Sequence, residues 1–396
     1  MESSIMPDLA YPDYSGSDLT PSCHPCETPV MPPTKADFHG QQLDLFRSFV
    51  CNGEDERARL SNRFDLWDSV PRYSISRQEM HEIRKAKGFL DLRQVEFRHR
   101  DKMLKVIIQA ARVIDKTTGI STDYYPSANE ELIEDALRKI AAEQQNAFFD
   151  TSNFRSGVIF TLHMLRKELA KHGHARSYHE IVLSLEILAR STIEIRTTND
   201  SGGEGFAVSP YFPGLSAVSK SKLVDDPEAK WIVQFHPLVT SEIVALRYRQ
   251  FNYAQMMRLR TQLTRWLHKQ LSLKFDFAGE KAHFEMRYST IKRDSALLDS
   301  YSRERKAIEA VDASFNELVA AGVLAKFGKQ TVQGARRKIK DVVYTLFATD
   351  DFIRDMKAAN MRRRDAARKL STTTRKAVGI GGGLRPFPVG IGGRLR

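Results

Sequence analysis

The sequence has few cysteines and no long apolar run. Its three cysteines, Cys23, Cys26 and Cys51, lie near the N-terminus. They are too few for a disulfide framework and are typical of a reducing compartment. Charged residues interrupt the apolar runs well before the ~20 residues that a membrane span needs. The acidic, proline-rich start has no basic segment followed by an apolar one, so no secretory signal is predicted. We expect a cytoplasmic protein with no membrane partner.

Patterns that bind metals or cofactors are also scarce. Cys23 and Cys26 have the spacing of half a zinc knuckle, but no second pair follows, and a structural zinc needs four ligands. The segment His172-Gly173-His174 lacks the apolar middle residue of a nuclease histidine pair, so these histidines are expected on the surface. Residues 322–329 resemble a phosphate loop, but five residues separate the glycines, and Gln330 replaces the magnesium-binding Ser or Thr. We predict no metal, no cofactor and no enzymatic activity.

Positive charge is abundant and unevenly distributed. The chain has a formal net charge of +12. By count, residues 1–60 carry −6, residues 354–396 carry +10, and the segment between them carries +8. Lysines and arginines that neutralise phosphates release condensed counterions, so this excess favours a nucleic-acid partner. An anionic membrane surface would also suit it.

Composition and hydrophobic periodicity divide the 396 residues into four parts. Residues 1–60 read as an acidic, largely disordered head, and residues 354–396 as a basic, flexible, Gly- and Arg-rich tail. Between them we expect a first domain at 70–250 and a second at 251–353. The fold class expected is α+β, with two tandem winged-helix (helix-turn-helix) domains between the two tails.

The first domain is predicted from its element order. Residues 70–77 alternate as a short strand, and residues 95–115 read as a hairpin or meander. A helix capped by Asn129 follows, and then a helix that ends at Gly173 and a helix over 178–189 form a helix-turn-helix. Strands at 191–197 and 230–239, joined by a Gly- and Lys-rich loop, are predicted to form the wing.

The same order repeats in outline in the second domain. Residues 253–275 are predicted to form one helix with its apolar side chains on one face, followed by a short helix at 289–298. A helix over 303–324 is then predicted to bury Ile308, Val311, Phe315 and Leu318. Strands at 323–327 and 340–348 would form its wing.

Basic side chains mark the surfaces expected to contact DNA. Helix N-termini favour phosphate, and basic residues there can reach it or a guanine edge. In the second domain the candidates are Lys292, Arg293, Arg303, Arg305, Lys306, Lys326, Lys329, Arg336, Arg337, Lys338 and Lys340. In the first domain, whose helix is less basic, they are Arg176, Tyr178 and His179. The alternative for any one of them is a solvated charged face.

A short apolar peptide lies in the head, at Gln42-Leu43-Asp44-Leu45-Phe46. It could simply dock Leu43, Leu45 and Phe46 on the core. It could also be a linear motif whose Gln amide and apolar side chains fill a pocket on a partner. QLDLF resembles the pentapeptide by which bacterial replication proteins hold the DNA polymerase sliding clamp.

A longer resemblance runs through the second half of the chain. The stretches WIVQFHPLVTSEIVALRYRQFNYAQMMRLRTQLTRWLHKQL and YSTIKRDSALLDSYSRERKAIEAVDASFNELVAAGVL resemble plasmid replication initiators of the TrfA type, over roughly residues 95–348. The resemblance implies two winged-helix domains that bind direct origin repeats (iterons) on bacterial plasmid DNA. It also implies opening of an adjacent AT-rich segment, recruitment of host helicase, initiator proteins and clamp, and exchange between a homodimer and a monomer.

Two other classes of DNA-binding protein remain open from the sequence. A winged-helix transcriptional repressor would share the fold but bind an inverted operator as a stable dimer. A nicking replication enzyme would need a catalytic tyrosine and metal-binding histidines.

Overall fold

The computed structural model describes residues 59–115, 118–143, 146–150, 153–198, 203–219, 226–275, 283–334 and 339–378. The clamp-like peptide, the three cysteines and Arg336, Arg337 and Lys338 lie outside the described residues. The described part is a mixed α/β structure with antiparallel sheets, which confirms the expected mixture of helices and strands.

The elements of the first half surround one hydrophobic core that extends from Phe64 to Met257. Its helices are α1 (Arg77–Lys87), α2 (Ala128–Ala142), α3 (Leu162–Lys171), α4 (Tyr178–Arg190), α5 (Pro237–Val244) and α6 (Tyr253–Met257). Its strands are β1 (Leu60–Phe64), β2 (Arg93–His99), β3 (Lys102–Gln109), β4 (Ala111–Ile114), β5 (Ser121–Tyr124), β6 (Ala147–Asp150), β7 (Arg155–Thr161), β8 (Thr192–Thr198), β9 (Glu204–Pro210), β10 (Gly214–Val218), β11 (Lys230–Gln234) and β12 (Tyr248–Asn252).

The strands of this half form two four-stranded sheets and two short pairs. One sheet has the order β2-β3-β8-β9 and the other β10-β11-β7-β6, while β4 pairs with β5 and β1 with β12. The predicted hairpin is confirmed, because β2 and β3 pair antiparallel with Val95 opposite Val106. Leu104, Val106 and Ile108 alternate inward along β3 and bury its core face.

The predicted first wing is wrong in its second strand. β8 pairs with β9, which follows it directly in the chain, whereas β11 pairs with β10 and β7 in the other sheet. The alternation of β11 buries Trp231 and Val233 in the core beside β7. A period of two identifies a strand and its buried face, but it does not identify the neighbouring strand.

Two further local predictions in the first half are corrected. Residues 70–76 form no strand; Val70, Tyr73 and Ile75 are buried in an irregular segment that ends at Ser76, the N-cap of α1. Helix α2 is capped by Ser127 in a capping box with Glu130 rather than by Asn129. The two helices of the predicted helix-turn-helix are both present: α3 is followed by Gly173 at φ 81°, and α4 begins at a second capping box formed by Ser177 and Glu180.

The second half contains its own hydrophobic core, from Leu259 to Met356. Its elements are α7 (Gln262–Lys274), β13 (Phe284–Arg287), α8 (Tyr288–Ser295), α9 (Glu304–Ala320), β14 (Leu324–Gln333), β15 (Ile339–Ala348) and α10 (Asp350–Val378). The strands form a three-stranded antiparallel sheet in the order β13-β15-β14. Ile308, Val311, Phe315 and Leu318 are buried on one face of α9, as predicted.

Two helices of this half differ from the prediction. Residues 253–274 form α6 and α7 rather than one helix, because Thr261 caps a new helix start by accepting from the Thr264 amide. Residues 354–378, expected to belong to a flexible tail, are helical. Phe352, Ile353, Met356 and Ala359 recur at helical spacing and are buried, so the start of α10 is part of the fold.

A buried cluster of ion pairs joins the two halves. Arg138 of α2 donates to both carboxylate oxygens of Asp68, at 2.9 Å each, and Arg72 donates to the same carboxylate at 3.2 Å. Lys269 of α7 in turn donates to Glu131 at 2.7 Å and to Asp135, both on α2. Burial alone would raise the pKa of Asp135, but Lys269 and Arg138 hold it below its ordinary value.

The ion pairs of Lys269 predict a large loss of stability when this lysine is removed. In the variant Lys269→Met, Glu131 and Asp135 lose a buried countercharge, so the free energy of unfolding should fall by about 3–5 kcal/mol. Urea denaturation measures it. The exposed Lys85→Met is the control, with an expected change of at most about 0.5 kcal/mol. Equal unfolding midpoints for Lys269→Met and the unmodified chain would contradict a structural role for these pairs.

Candidate nucleic-acid interface

The start of α9 is a strongly basic, exposed helix end. Arg303 occupies the N-cap position, and Arg305 and Lys306 follow in the first turn. The side chains of Arg305 and Lys306 are 88% and 65% exposed, and both contact Glu309, at 3.3 Å and 2.7 Å. Arg303 is exposed and has no ion-pair partner among the described residues. The unpaired N–H groups of the first turn add positive potential at the same place.

Helix α8 places two further predicted residues beside this helix end. Lys292 forms an ion pair with Glu304 at 3.0 Å and so connects α8 to the first turn of α9. Burial opposes ionisation of Glu304, but the hydrogen bonds from Lys292 and Tyr288 hold its pKa below the ordinary value. Arg293 contacts the neighbouring Asp294 at 2.7 Å. Lys292 therefore lies beside the basic end of α9, whereas Arg293 is paired with Asp294.

The β14–β15 hairpin supplies the remaining predicted cations. Lys329 donates to Asp312 of α9 at 2.5 Å, so the hairpin strand lies against the helix. Lys326 lies 5.0 Å from the centre of the Phe347 ring across the strand pair. Lys340, at the start of β15, is exposed and has no ion-pair partner among the described residues. Successive residues of a strand point to opposite faces, so Lys326 lies on the face of β14 that is turned away from Lys329 and α9. The other basic residues of the helix end and the hairpin form what we call the α9 surface: Lys292, Arg303, Arg305, Lys306, Lys329 and Lys340.

Most cations of the α9 surface share an acidic neighbour, which affects how strongly they can attract phosphate. Exposed ion pairs contribute only about 0–1 kcal/mol, so a phosphate can replace the carboxylate at little cost. Arg303 and Lys340 have no such pair to break. They are the two cations of this surface from which we expect the clearest contribution to anion binding.

The predicted residues of the first half are less available. Arg176 donates to the Asn129 side chain at 2.9 Å, which ties the turn before α4 to α2. Tyr178 lies under Arg166, at 4.8 Å from its ring centre. His179 is exposed on the first turn of α4, next to Glu180, whose carboxylate is used in the capping box. Two of the three predicted side chains are thus held by neighbouring residues, and only His179 is exposed.

The two segments that resemble enzyme motifs, residues 172–174 and 322–329, have structural roles. His172 is buried and contacts Glu168 at 3.2 Å, and His174 contacts the Met257 carbonyl at 2.6 Å, so the expectation of surface histidines is wrong for His172. Gly328 lies within β14 rather than in a phosphate loop. Among the described residues, no cluster of His, Cys, Asp or Glu could hold a metal ion. Within the described ranges, no helix is long and apolar enough to cross a membrane.

Sequence reasoning missed three arginines at another site. Arg247 precedes β12, and Arg363 and Arg364 lie on α10; all three line one cleft between the halves. The apolar spacing of residues 352, 353, 356 and 359 was the available signal, since it predicts a helix that continues into the arginines.

Comparisons with known proteins give distant structural matches. No protein-family model and no curated protein matches the chain. Two crystal structures of RctB domains 2 and 3 match with TM-scores of 0.41 and 0.40 and identities of 9% and 11%; the matches cover 66% and 68% of this chain and 92% and 95% of theirs. A crystal structure of Pi initiator protein in complex with iteron DNA matches with a TM-score of 0.38 and 11% identity, over 56% of this chain and 95% of that one.

An initiator is thus among the solved structures to which the chain is similar.

The two unpaired cations of the α9 surface predict a change in the salt dependence of duplex binding. In Arg303→Gln/Lys340→Gln, log K for a short mixed-sequence duplex should fall less steeply with log[salt], by about 0.9 for each lost phosphate contact. Fluorescence anisotropy between about 50 and 200 mM KCl measures the slope. Lys85→Gln/Arg155→Gln removes equal charge elsewhere and is the control. A slope equal to that of the control would exclude phosphate contacts by these two residues.

Proposed function

We propose that the chain is a plasmid replication initiator that binds repeated origin sequences in duplex DNA. The observation that supports this most directly is the α9 surface, where two successive helices and a hairpin carry six predicted cations. Both halves are then winged-helix domains: α8 and α9 with the β14–β15 wing, and α3 and α4 with the β8–β9 wing. The residues that carry the sequence resemblance include α7, α8 and α9.

The two halves would divide the work on DNA. The second half reads one repeat in the major groove with α9, because Arg303 at its N-cap and Arg305 and Lys306 in its first turn are exposed to solvent. The first half, where Arg176 and Tyr178 are held by neighbours, adds phosphate and shape contacts. Binding of this kind needs no catalytic group or cofactor, and the protein would act on plasmid DNA in the bacterial cytoplasm.

The remaining parts of the proposal come from the sequence. Gln42-Leu43-Asp44-Leu45-Phe46 would tether the sliding clamp, and the resemblance implies origin opening, host helicase recruitment and exchange between dimer and monomer. A winged-helix repressor is the second candidate, since it would present the same basic surface to an inverted operator. A nicking enzyme is the third, and a denaturing gel that shows a covalent protein–DNA adduct would favour it.

Footprinting on the origin region of the plasmid that encodes the chain separates an initiator from a repressor. We expect protection of direct repeats, spaced so that each repeat presents the same face of the duplex. The DNA strand and spacing are read from the protected positions, and a scrambled origin is the control. Protection of a single inverted site would favour the repressor, and no protection at the direct repeats would overturn the proposal.

If QLDLF binds the clamp, clamp binding can be lost without loss of DNA binding. Leu45→Ala/Phe46→Ala should abolish capture of the host sliding clamp because both side chains that fill the partner pocket are removed, while duplex binding stays unchanged. Binding to immobilised clamp and anisotropy on duplex DNA measure the two activities. Leu9→Ala/Phe38→Ala makes the same changes elsewhere in the head and should leave both intact. Undiminished clamp capture by Leu45→Ala/Phe46→Ala would refute the tether.

A further inference from the structure

A large cleft lies between the two halves, on a side that no sequence motif marks. Its walls come from the β2–β3 turn, the turn before β12, the end of α7, helix α8 and helix α10. Its volume is about 790 Å³, within the ~300–1,000 Å³ typical of ligand sites. Such sites are usually lined by apolar side chains, whereas this one is lined mainly by charged ones, so its chemistry points to an ionic ligand.

Positive charge dominates the lining of the cleft. The cations are Arg98, Arg100, Arg247, Arg249, Lys274, Arg293, Arg363 and Arg364, and the carboxylates are Asp65 and Asp294. Asp65 accepts from Arg100 at 2.6 Å, and Asp294 accepts from Arg293 at 2.7 Å. Arg249 is buried, so two carboxylates face the other seven cations, and an anion that enters meets a positive field.

Three of these cations have no ion-pair partner among the described residues: Arg247, Arg363 and Arg364. All three are exposed. Arg363 and Arg364 are held in place by α10, whose start is buried in the second core through Phe352 and Met356. The arginines are therefore placed by the fold, and their guanidinium groups remain available to a ligand.

The pKa of His99 indicates that these charges converge. Burial lowers it, and the nearby cations Arg100, Lys274 and Arg247 lower it further against the opposing effect of Asp65. The pKa of Lys274 is also lowered, first by burial and then by Arg293, while Asp294 opposes the shift. Cations from three separate elements thus act on the same small region. A bound anion would reduce the repulsion among them.

We propose that this cleft is a second phosphate-binding site, in which both halves of the chain grip the backbone of the same duplex that occupies the α9 surface. Helix α8 makes the connection: Lys292 belongs to the α9 surface, and the adjacent Arg293 lines the cleft. A duplex seated on α9 can therefore continue into the cleft. This inference rests on the proposed function, in which the partner is DNA.

The lining favours a nucleic-acid backbone over a free nucleotide. A nucleotide site needs a flat apolar or aromatic surface for the base as well as cations for phosphate. The aromatic lining residue Tyr248 is only 8% exposed. Its buried ring offers little surface to a base, while the arginines offer forked donors that fit phosphate oxygens.

The decisive variant replaces the three unpaired arginines: Arg247→Gln/Arg363→Gln/Arg364→Gln. Anisotropy with a mixed-sequence duplex, long enough to pass from α9 into the cleft, should show weaker binding and a salt slope reduced by about 0.9 per lost contact, up to three contacts. The control, Lys85→Gln/Arg155→Gln/Lys357→Gln, removes equal charge from exposed sites outside the cleft, with Lys357 on the same helix. Urea midpoints check that all variants fold. A slope equal to that of the control would overturn the proposal.

A second readout separates this site from the α9 surface. Phenylglyoxal modifies free arginines, and mass spectrometry of the full-length chain locates the adducts. The duplex should protect Arg247, Arg363 and Arg364, also in the Arg303→Gln/Lys340→Gln variant at low salt. If the three arginines are protected in that variant and its salt slope for duplex binding is unchanged, DNA binding by the α9 surface is refuted and DNA binding by the cleft is supported. Protection by inorganic pyrophosphate but not by duplex would overturn the cleft as a DNA site in favour of a small phosphate ligand.

Discussion

The buried carboxylate of Asp68 is the contact on which most of the architecture depends. It accepts from Arg138 of α2, from Arg72 and from the Phe64 amide of β1, the last at 2.7 Å. Burial alone would raise its pKa, but the surrounding arginines hold it far below its ordinary value, so the group is ionised in the folded chain. A charge buried this deeply is tolerated only while all its partners stay in place, which makes the positions of β1, α2 and the segment around Arg72 interdependent.

The position of α9 follows from this cluster. Asp135 shares the Arg138 side chain with Asp68 and also accepts from Lys269, so the cluster extends into α7. Helix α7 in turn holds α9, because Thr264 donates to Glu317 at 2.7 Å and Trp266 and Leu267 pack in the same core as Phe315. The orientation of the α9 surface relative to the first half is thus fixed by buried charge at one end and by apolar packing at the other.

The sequence predicted what depends on local periodicity and missed what depends on distant partners. The apolar spacing from Ile308 to Leu318 was enough to place α9 and its exposed face, and Gly173 marked the end of α3. The partner of β11 could not be found in this way, since pairing with β7 brings together segments about 70 residues apart. The buried ion pairs were equally hidden, because Asp68 and Lys269 read as surface residues until the fold encloses them.

At α10, amino-acid composition and apolar spacing lead to opposite predictions. Residues 354–396 are Arg- and Gly-rich, which favours a flexible tail, yet Phe352, Ile353, Met356 and Ala359 carry a helical apolar spacing across the expected boundary. The apolar pattern prevails because burying these side chains stabilises the helix, by roughly 1.5–3 kcal/mol for each large one. Arg363 and Arg364 then have fixed positions instead of belonging to a mobile chain.

The net charge of +12 is therefore a poor guide to where DNA would bind. Buried cations such as Arg138 and Lys269 are neutralised by carboxylates and are closed to solvent, and several cations of the α9 surface share an acidic neighbour. The cations that remain are exposed and have no ion-pair partner among the described residues, and they include Arg303, Lys340 and the three arginines of the cleft. Binding that depends on counterion release is governed by such groups, because a cation already paired gains less from a phosphate.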